Sequence, residues 1–337
     1  MITEPGPFTL DHLERLSDER GLFEHASGTV RSEQHGYCTD DNARLLVVMS
    51  READSGVAHR LGRLALQFVL DAQDADGRCH NRMDRAGRWT DRAGTDDCWG
   101  RALWALGTAA AGHRDPSIRS RAQSGFDIGA QQRSRWPRAM AFAALGAADV
   151  LSVNPGHGRA RALLSDTLAV IGVSQTGRWR WTETRLTYAN ATLAEAVIAA
   201  GAALENPPDF ERGLAMLTWL LALETRNGHL SVTGVRGRGP ADHGPQFDQQ
   251  PIEAAAMADA CSRAYTLTGS RLWLHGVAIS ARWFTGDNDT GLPMYDDVSG
   301  GGFDGLQPEG VNLNQGAEST LCLISTMQRV RSFAPAP

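Results

Sequence analysis

Two kinds of helical segment alternate along this chain, and their alternation limits the fold more than any other feature. In one kind the apolar residues form a single stripe. From Val57, for example, Leu61, Leu64, Ala65 and Phe68 recur at helical spacing, with Arg60, Arg63, Gln67 and Asp71 opposite them. The other kind is rich in alanine and apolar on nearly every side, as in Ala139 to Leu151, which a helix enclosed by other helices requires. Enclosed segments start near residues 39, 95, 134, 187, 249 and 314, and amphipathic runs fall near 57–74, 115–132, 158–173, 209–225 and 270–284. A stretch at roughly 8–18 supplies a sixth outer helix. Six inner and six outer helices predict an all-α (α/α)6 toroid, a single domain over residues 1–337, with inner-helix N-termini gathered on one rim. A regular solenoid fits less well, because the units differ in length and loop content.

The loops that enter the inner helices are long and chemically unusual, whereas those leaving them, such as Ala53 to Gly56, are short and plain. One loop, from Gly77 to Gly94, holds Asn81, Trp89 and two aspartates, and the longest, from Thr285 to Asn312, holds Asp304 and three consecutive glycines. Long loops in a compact domain are usually functional. A single elaborate rim therefore predicts a one-sided active site.

At that rim Thr39-Asp40-Asp41-Asn42 and Thr95-Asp96-Asp97-Cys98 each put two aspartates where an enclosed helix begins. A threonine cap with one acidic residue would serve the helix dipole, but capping does not call for two. A carboxylate in the first turn has its charged form favoured and suits a base, a nucleophile or a hydroxyl acceptor. A general acid needs a raised pKa, from burial or from a neighbouring negative charge. The doublets offer the second condition, and Glu253, deeper among alanines, offers the first. Paired carboxylates are what glycoside hydrolysis uses. Asp40, Asp41, Asp96, Asp97 and Glu253 are thus the expected catalytic group.

Around them lie the residue types that sugars select: aromatic faces for ring C–H groups and planar hydrogen-bonding groups for hydroxyls. Trp99, Trp136, Trp179, Trp181 and Tyr188 are expected to form the platform. Tyr37, Arg44, Arg138, Asn190, Gln249, Gln250, Asp304, Asn312 and Asn314 are expected to bind substrate. Glu183 is read as a loop residue touching substrate, and Glu318 as the partner of an arginine.

Several classes are disfavoured. All 33 Lys+Arg residues are arginine, so Schiff-base chemistry, pyridoxal phosphate attachment and the lysine-bearing phosphate loop are excluded in their usual forms. Net charge is −6 without a concentrated basic face, which argues against nucleic acid as a partner. No apolar run approaches the ~18 residues of a membrane span, and no secretory signal is evident. Five dispersed cysteines argue against a disulfide framework and for a cytoplasmic setting. Histidines are scattered without metal-ligand spacing, so neither a metal nor another cofactor is expected.

Three longer motifs carry a resemblance. They are Gly36-Tyr37-Cys38-Thr39-Asp40-Asp41-Asn42-Ala43-Arg44, Phe247-Asp248-Gln249-Gln250-Pro251-Ile252-Glu253-Ala254, and the run from Gly305 through Asn312-Leu313-Asn314-Gln315-Gly316-Ala317-Glu318-Ser319-Thr320. Over almost its whole length the chain resembles a bacterial family of six-hairpin glycosidase-like proteins, found alone or fused to glycosyltransferase domains. The resemblance implies the (α/α)6 fold and a role with glycans. Asp96-Asp97-Cys98-Trp99 is also similar to the Asp-Asp-x-x-Trp of α-1,6-mannanases, where consecutive aspartates are the catalytic pair, although its tryptophan falls one position early. Terpene-cyclase motifs are broken by Cys38 and by Asn42-Ala43-Arg44, and no inner-helix start supplies the paired rim histidines of sugar 2-epimerases. The expected activity is hydrolysis of oligosaccharides. A glycan-binding accessory module that partners a glycosyltransferase, and a phosphorylase, are the alternatives.

Overall fold

The computed structural model describes residues 9–53, 55–175 and 177–333. The expected helix at 8–18 begins outside them, and its described part is a short helix α1 at Asp11–Leu16. The inner helices are α2 (Thr39–Arg51), α4 (Asp97–Gly112), α6 (Pro137–Val153), α8 (Asn190–Ala203), α10 (Pro251–Thr268) and α12 (Ala317–Arg331). Between them run the outer helices α3 (Gly56–Ala72), α5 (Pro116–Gly129), α7 (Gly158–Ile171), α9 (Pro207–Leu223) and α11 (Arg271–Phe284). Each inner helix packs on the next, and α12 packs on α2 to close the ring; α1 lies outside α12. The fold is an (α/α)6 toroid.

Burial follows the two kinds of helix. In α8 every residue from Asn190 to Gly201 is buried. In α3 only one side is, with Leu61, Ala65 and Phe68 inside. Small residues let inner helices approach closely. A Cβ on Gly146 of α6 would overlap the Leu103 carbonyl of α4, and one on Gly107 would overlap the Gly146 carbonyl. Proline opens α5, α6, α9 and α10, where its missing N–H costs no helical bond. After the first, the inner helices begin two or three residues later than expected, because the polar residues before them are rim and cap. Thr39 is not a cap: its hydroxyl donates to the His80 carbonyl at 2.7 Å, and the Cys38 sulfur accepts from the Asp41 amide.

The rim away from the long loops is closed by charge. Arg51 of α2 donates to Asp259 of α10 at 3.0 Å and to Ser325 of α12. Arg329 of α12 also donates to Asp259. Arg263 of α10 reaches Glu195 of α8 at 2.9 Å and Asp149 of α6 at 3.3 Å, and Thr108 of α4 donates to Asp149. All six inner helices enter this belt of three arginines and three carboxylates. Matched charge limits the desolvation cost that an unpaired ion here would carry. Above the belt the barrel interior holds a void of about 40 Å³, lined mainly by apolar side chains such as Val47, Trp104, Phe142, Leu145 and Ile252.

Short two-stranded pairings decorate the other rim. β1 (Ala26–Ser27) pairs with β2 (Val30–Arg31), and β3 (Tyr37–Cys38) pairs with β4 (Arg82–Met83) in the register Cys38 to Arg82. β5 (Thr225–Arg226) pairs with β6 (His229–Leu230), and β7 (Gly305–Gln307) with β8 (Gly310–Asn312).

Candidate functional site

A polar pocket of about 480 Å³ opens on the decorated rim. Residues at or just before the starts of α2, α4, α8, α10 and α12 line it, so the helix N-termini do gather there. Seven carboxylates face it: Glu24, Asp40, Asp41, Asp97, Asp248, Asp304 and Glu318. Three arginines, Arg44, Arg82 and Arg101, and one histidine, His25, oppose them.

The first doublet splits its tasks. Asp41 is buried, accepts from Arg44 at 2.5 Å and from the Cys38 thiol at 3.1 Å. Arg44 also bonds Glu318, so one guanidinium clamps α2 to α12. Burial raises Asp41 to about 6 against the pull of Arg44, and Glu318 and Glu24 add to the rise. Asp40 is more open to the pocket. Asn81 donates to it at 3.0 Å, and its other oxygen lies 3.2 Å from Arg101 Nε as an ion pair without hydrogen-bond alignment. Arg101 is only 4 % exposed, with its guanidinium 4.2 Å from the centre of the Phe142 ring. Among the described residues Arg101 donates no hydrogen bond, which leaves a buried cation facing the pocket with its donors unused.

The second doublet also splits. Asp97 lines the pocket and accepts from the Tyr188 hydroxyl at 2.6 Å. Burial raises the Tyr188 hydroxyl above its ordinary value, and the Asp97 charge adds to this. Asp96 points elsewhere, accepting from Trp136 Nε1 at 2.9 Å in a neighbouring groove.

Opposite these, Asp248 and Asp304 approach from the segments before α10 and β7. Asp304 accepts from the Gly316 amide and the Ser319 hydroxyl, and burial raises its carboxyl despite those bonds. Asp248 is half-buried, and burial raises it too against a hydrogen bond from Gln307, with Asp304 adding repulsion. Its Oδ1 is buried without a hydrogen-bond partner among the described residues.

Gln250, Asn312 and Glu318 also line the pocket, as expected. Other expected site residues are placed in the architecture. Glu253 does not line the pocket: its carboxylate accepts from the Ala189 and Asn190 amides and from the Asn190 side chain at 3.0 Å. Its raised value, about 8, comes from burial, with Glu224 adding repulsion. Gln249 is fully buried between Trp283 and Asp289. Tyr37 is buried and donates to Asp18 at 2.6 Å. Trp99 and Trp181 are core side chains at 0 % exposure, the first bonded to the Gly129 carbonyl and the second stacked on Trp219. Trp179 is buried and donates to the Glu183 carbonyl. Arg138 makes a two-pronged pair with Glu183 at 2.7 and 2.9 Å and also donates to Asn190. Asn314 bonds the Gly28 amide. Apart from Tyr188, the expected aromatic platform is therefore absent from this pocket: Trp99, Trp179 and Trp181 follow polar loops yet point into the core, and Trp136 lies in the neighbouring groove.

Glu24, His25, Arg82, Arg101 and Asp248 are pocket residues that the sequence reading did not pick. Arg101 had a signal, since it lies four residues after Asp97 as Arg44 lies four after Asp40. Glu24 and Arg82 form an ion pair beside the β3–β4 pairing, a contact no local periodicity announces.

Glu24, Cys38 and Asp41 bring potential metal ligands within 4.8 Å of one another. Arg82 and Arg44 already neutralise the two carboxylates, and burial pushes the Cys38 thiol well up, with Asp41 adding to it. The arrangement fits a proton-sharing cluster better than a cation site. All five cysteines are buried and unpaired, and no helix among the described residues is long and apolar enough to cross a membrane.

No family model matches the chain, and no curated protein does. Solved structures do. A sugar epimerase from a ruminal bacterium aligns at TM-score 0.70 and 12% identity, covering 96% of this chain and 95% of its own. Cellobiose 2-epimerase from Spirochaeta thermophila aligns at 0.68 and 14% identity, covering 95% and 92%. A GH76 α-mannanase from Bacteroides thetaiotaomicron aligns at 0.58 and 10% identity, covering 88% and 86%. At these identities the likeness shows the shared fold.

Proposed function

We propose that this chain is a glycoside hydrolase acting on oligosaccharides without negative charge, with Asp248 as proton donor and Asp40 as the opposing carboxylate. The observation that carries the proposal is Asp248, a carboxyl that lines the pocket and is raised by burial, with Asp304 beside it adding repulsion. A carboxyl raised by its surroundings suits a general acid. Asp248 gives its proton to the glycosidic oxygen as the C–O bond breaks. Water supplies the oxygen that replaces it at the anomeric carbon and passes its proton to a carboxylate.

Asp40 sits over Arg101, which supports it as the opposing carboxylate of the pair. The unused Arg101 donors are placed to hold a sugar hydroxyl. Seven carboxylates against three arginines make the pocket unfavourable for uronates, sulfated sugars or inorganic phosphate, which weighs against a phosphorylase. That the structural neighbours include a sugar epimerase, a cellobiose 2-epimerase and an α-mannanase supports sugar as the substrate class.

A second reading is sugar epimerisation, favoured by the higher similarity scores of the two epimerases. Proton abstraction beside a carbonyl calls for bases, and the pocket contributes one histidine, His25, among many acids. An accessory module serving a glycosyltransferase is the non-catalytic alternative. The deciding experiment incubates cello- and α-1,6-manno-oligosaccharides with the protein in D2O. It follows reducing ends and carbon-bound deuterium together. New reducing ends without deuterium are expected. Asp248→Asn should cut kcat by about 10²–10⁴, the usual contribution of a general acid. The same variant should keep most activity on a dinitrophenyl glycoside, whose leaving group needs no proton, whereas Asp40→Asn should lose both. Deuterium at the carbon next to the reducing carbonyl supports the epimerase instead, and binding without turnover supports the module.

A further inference from the structure

The second aspartate doublet stands on a divide. Asp97 lines the carboxylate pocket, while Asp96, its neighbour in the chain, lines a separate groove of about 430 Å³ with Arg78, Gly94, Gln132, Arg133, Arg135 and Trp136. Consecutive Cα atoms are ~3.8 Å apart, so the two cavities adjoin across the start of α4.

The groove has the features of a sugar-stacking site. Trp136 is 47 % exposed, unusual for an indole, and it is held in place at its ring nitrogen and over one ring face. Its ring nitrogen donates to Asp96 at 2.9 Å, and the Arg135 guanidinium lies 4.4 Å from its ring centre. A fixed aromatic ring loses little freedom when a ligand settles on it. The floor and sides are rich in donors. Arg133 is engaged by Asp166, but Arg78 and Arg135 have no ion pair or side-chain hydrogen bond among the described residues. In sign the groove is the reverse of the pocket: three arginines face one aspartate here.

We propose that this groove is a second sugar subsite, which holds the ring next along an oligosaccharide from the one seated in the carboxylate pocket. The chain crosses the α4 N-terminus, so that Asp97 touches one sugar while Asp96 positions the indole under the next. Ring C–H groups stack on Trp136, and hydroxyls accept from Arg78 and Arg135. The protein then prefers oligosaccharides to disaccharides by a margin set at Trp136. The inference rests on the sugar-binding reading of the pocket but not on hydrolysis.

The test is calorimetric titration of wild type, Trp136→Ala and Asp96→Ala with cello- and α-1,6-manno-oligosaccharides of two to six residues. For wild type, affinity should rise with length beyond the disaccharide. Trp136→Ala should lower the ratio of hexasaccharide to disaccharide affinity about tenfold. Asp96→Ala, which frees the indole without removing it, should lower that ratio by a smaller factor, and Asp96→Asn should restore much of it. An equal loss for short and long ligands, or no loss, overturns the subsite. Binding by wild type with the length dependence but without cleavage overturns hydrolysis and leaves the subsite standing. Failure of every glycan to bind overturns both.

Discussion

Three hydrogen bonds converge on the Glu253 carboxylate, from the Ala189 and Asn190 amides and the Asn190 side chain, at the start of α8. Removing that acceptor strands buried donors, and each stranded group costs about 1–3 kcal/mol. Glu253→Ala should therefore lower the urea midpoint while leaving kcat of the folded fraction within a few-fold of wild type. A hundredfold loss of kcat with an unchanged midpoint would instead return Glu253 to the chemistry. Asp248 should behave in the opposite way, because its Oδ1 serves no protein donor and a single side chain, Gln307, bonds the carboxyl. Activity tied to its proton should fall as pH rises through its raised value, and that limb should vanish in Asp248→Asn. The contrast also shows why single carboxylates are hard to rank in a sequence. Both sit within a few residues of Pro251, both are raised by burial, and only the direction of the side chain separates them.

At the level of elements the chain is far more legible. Whether a segment is apolar on one side or on all sides sorts outer from inner helices, since enclosure leaves no face for charge. Polar residues just ahead of the inner helices were read as helix, which moved most starts early by a turn or less. Tryptophans were the weak point. An indole after a polar loop suits a sugar platform and a core plug equally, and Trp99 and Trp181 are plugs. The α4–α6 crossing makes a sharper forecast. Gly146 faces the Leu103 carbonyl and Gly107 faces Gly146, so a methyl group at either position forces the helices apart. Gly146→Ala should cost about 1–3 kcal/mol as overpacking, read from the denaturation midpoint. Gly158→Ala, at the start of α7 with open space around it, should be near neutral in the same assay.

For the whole molecule, buried carboxylates set the response to pH. Burial raises Asp41 to about 6 and Glu253 to about 8, and raises Glu195 and Glu224 as well. Groups raised on folding bind protons more tightly in the folded state. Their contribution is complete below the ordinary carboxylate range and is lost as pH climbs through the folded values. Asp259 is shifted the other way: burial opposes its charge, but Arg329 and Arg51 outweigh it. Its contribution is lost only under more acid conditions. Thermal midpoints should therefore fall between about pH 5 and pH 8. A midpoint that rises over that interval would mean these carboxylates are already ionised without penalty in the fold.

The belt of arginines and carboxylates at the far end turns the toroid from a tube into a cup. An extended ligand cannot thread it, so whatever enters at the rim must back out the same way. On the glycosidase reading proposed above, incoming and outgoing sugars share one doorway, and a product that lingers in it blocks the next molecule. Turnover would be governed by how readily the mouth empties, and competitive inhibition by product would be a property of the architecture, independent of which carboxylate moves the proton.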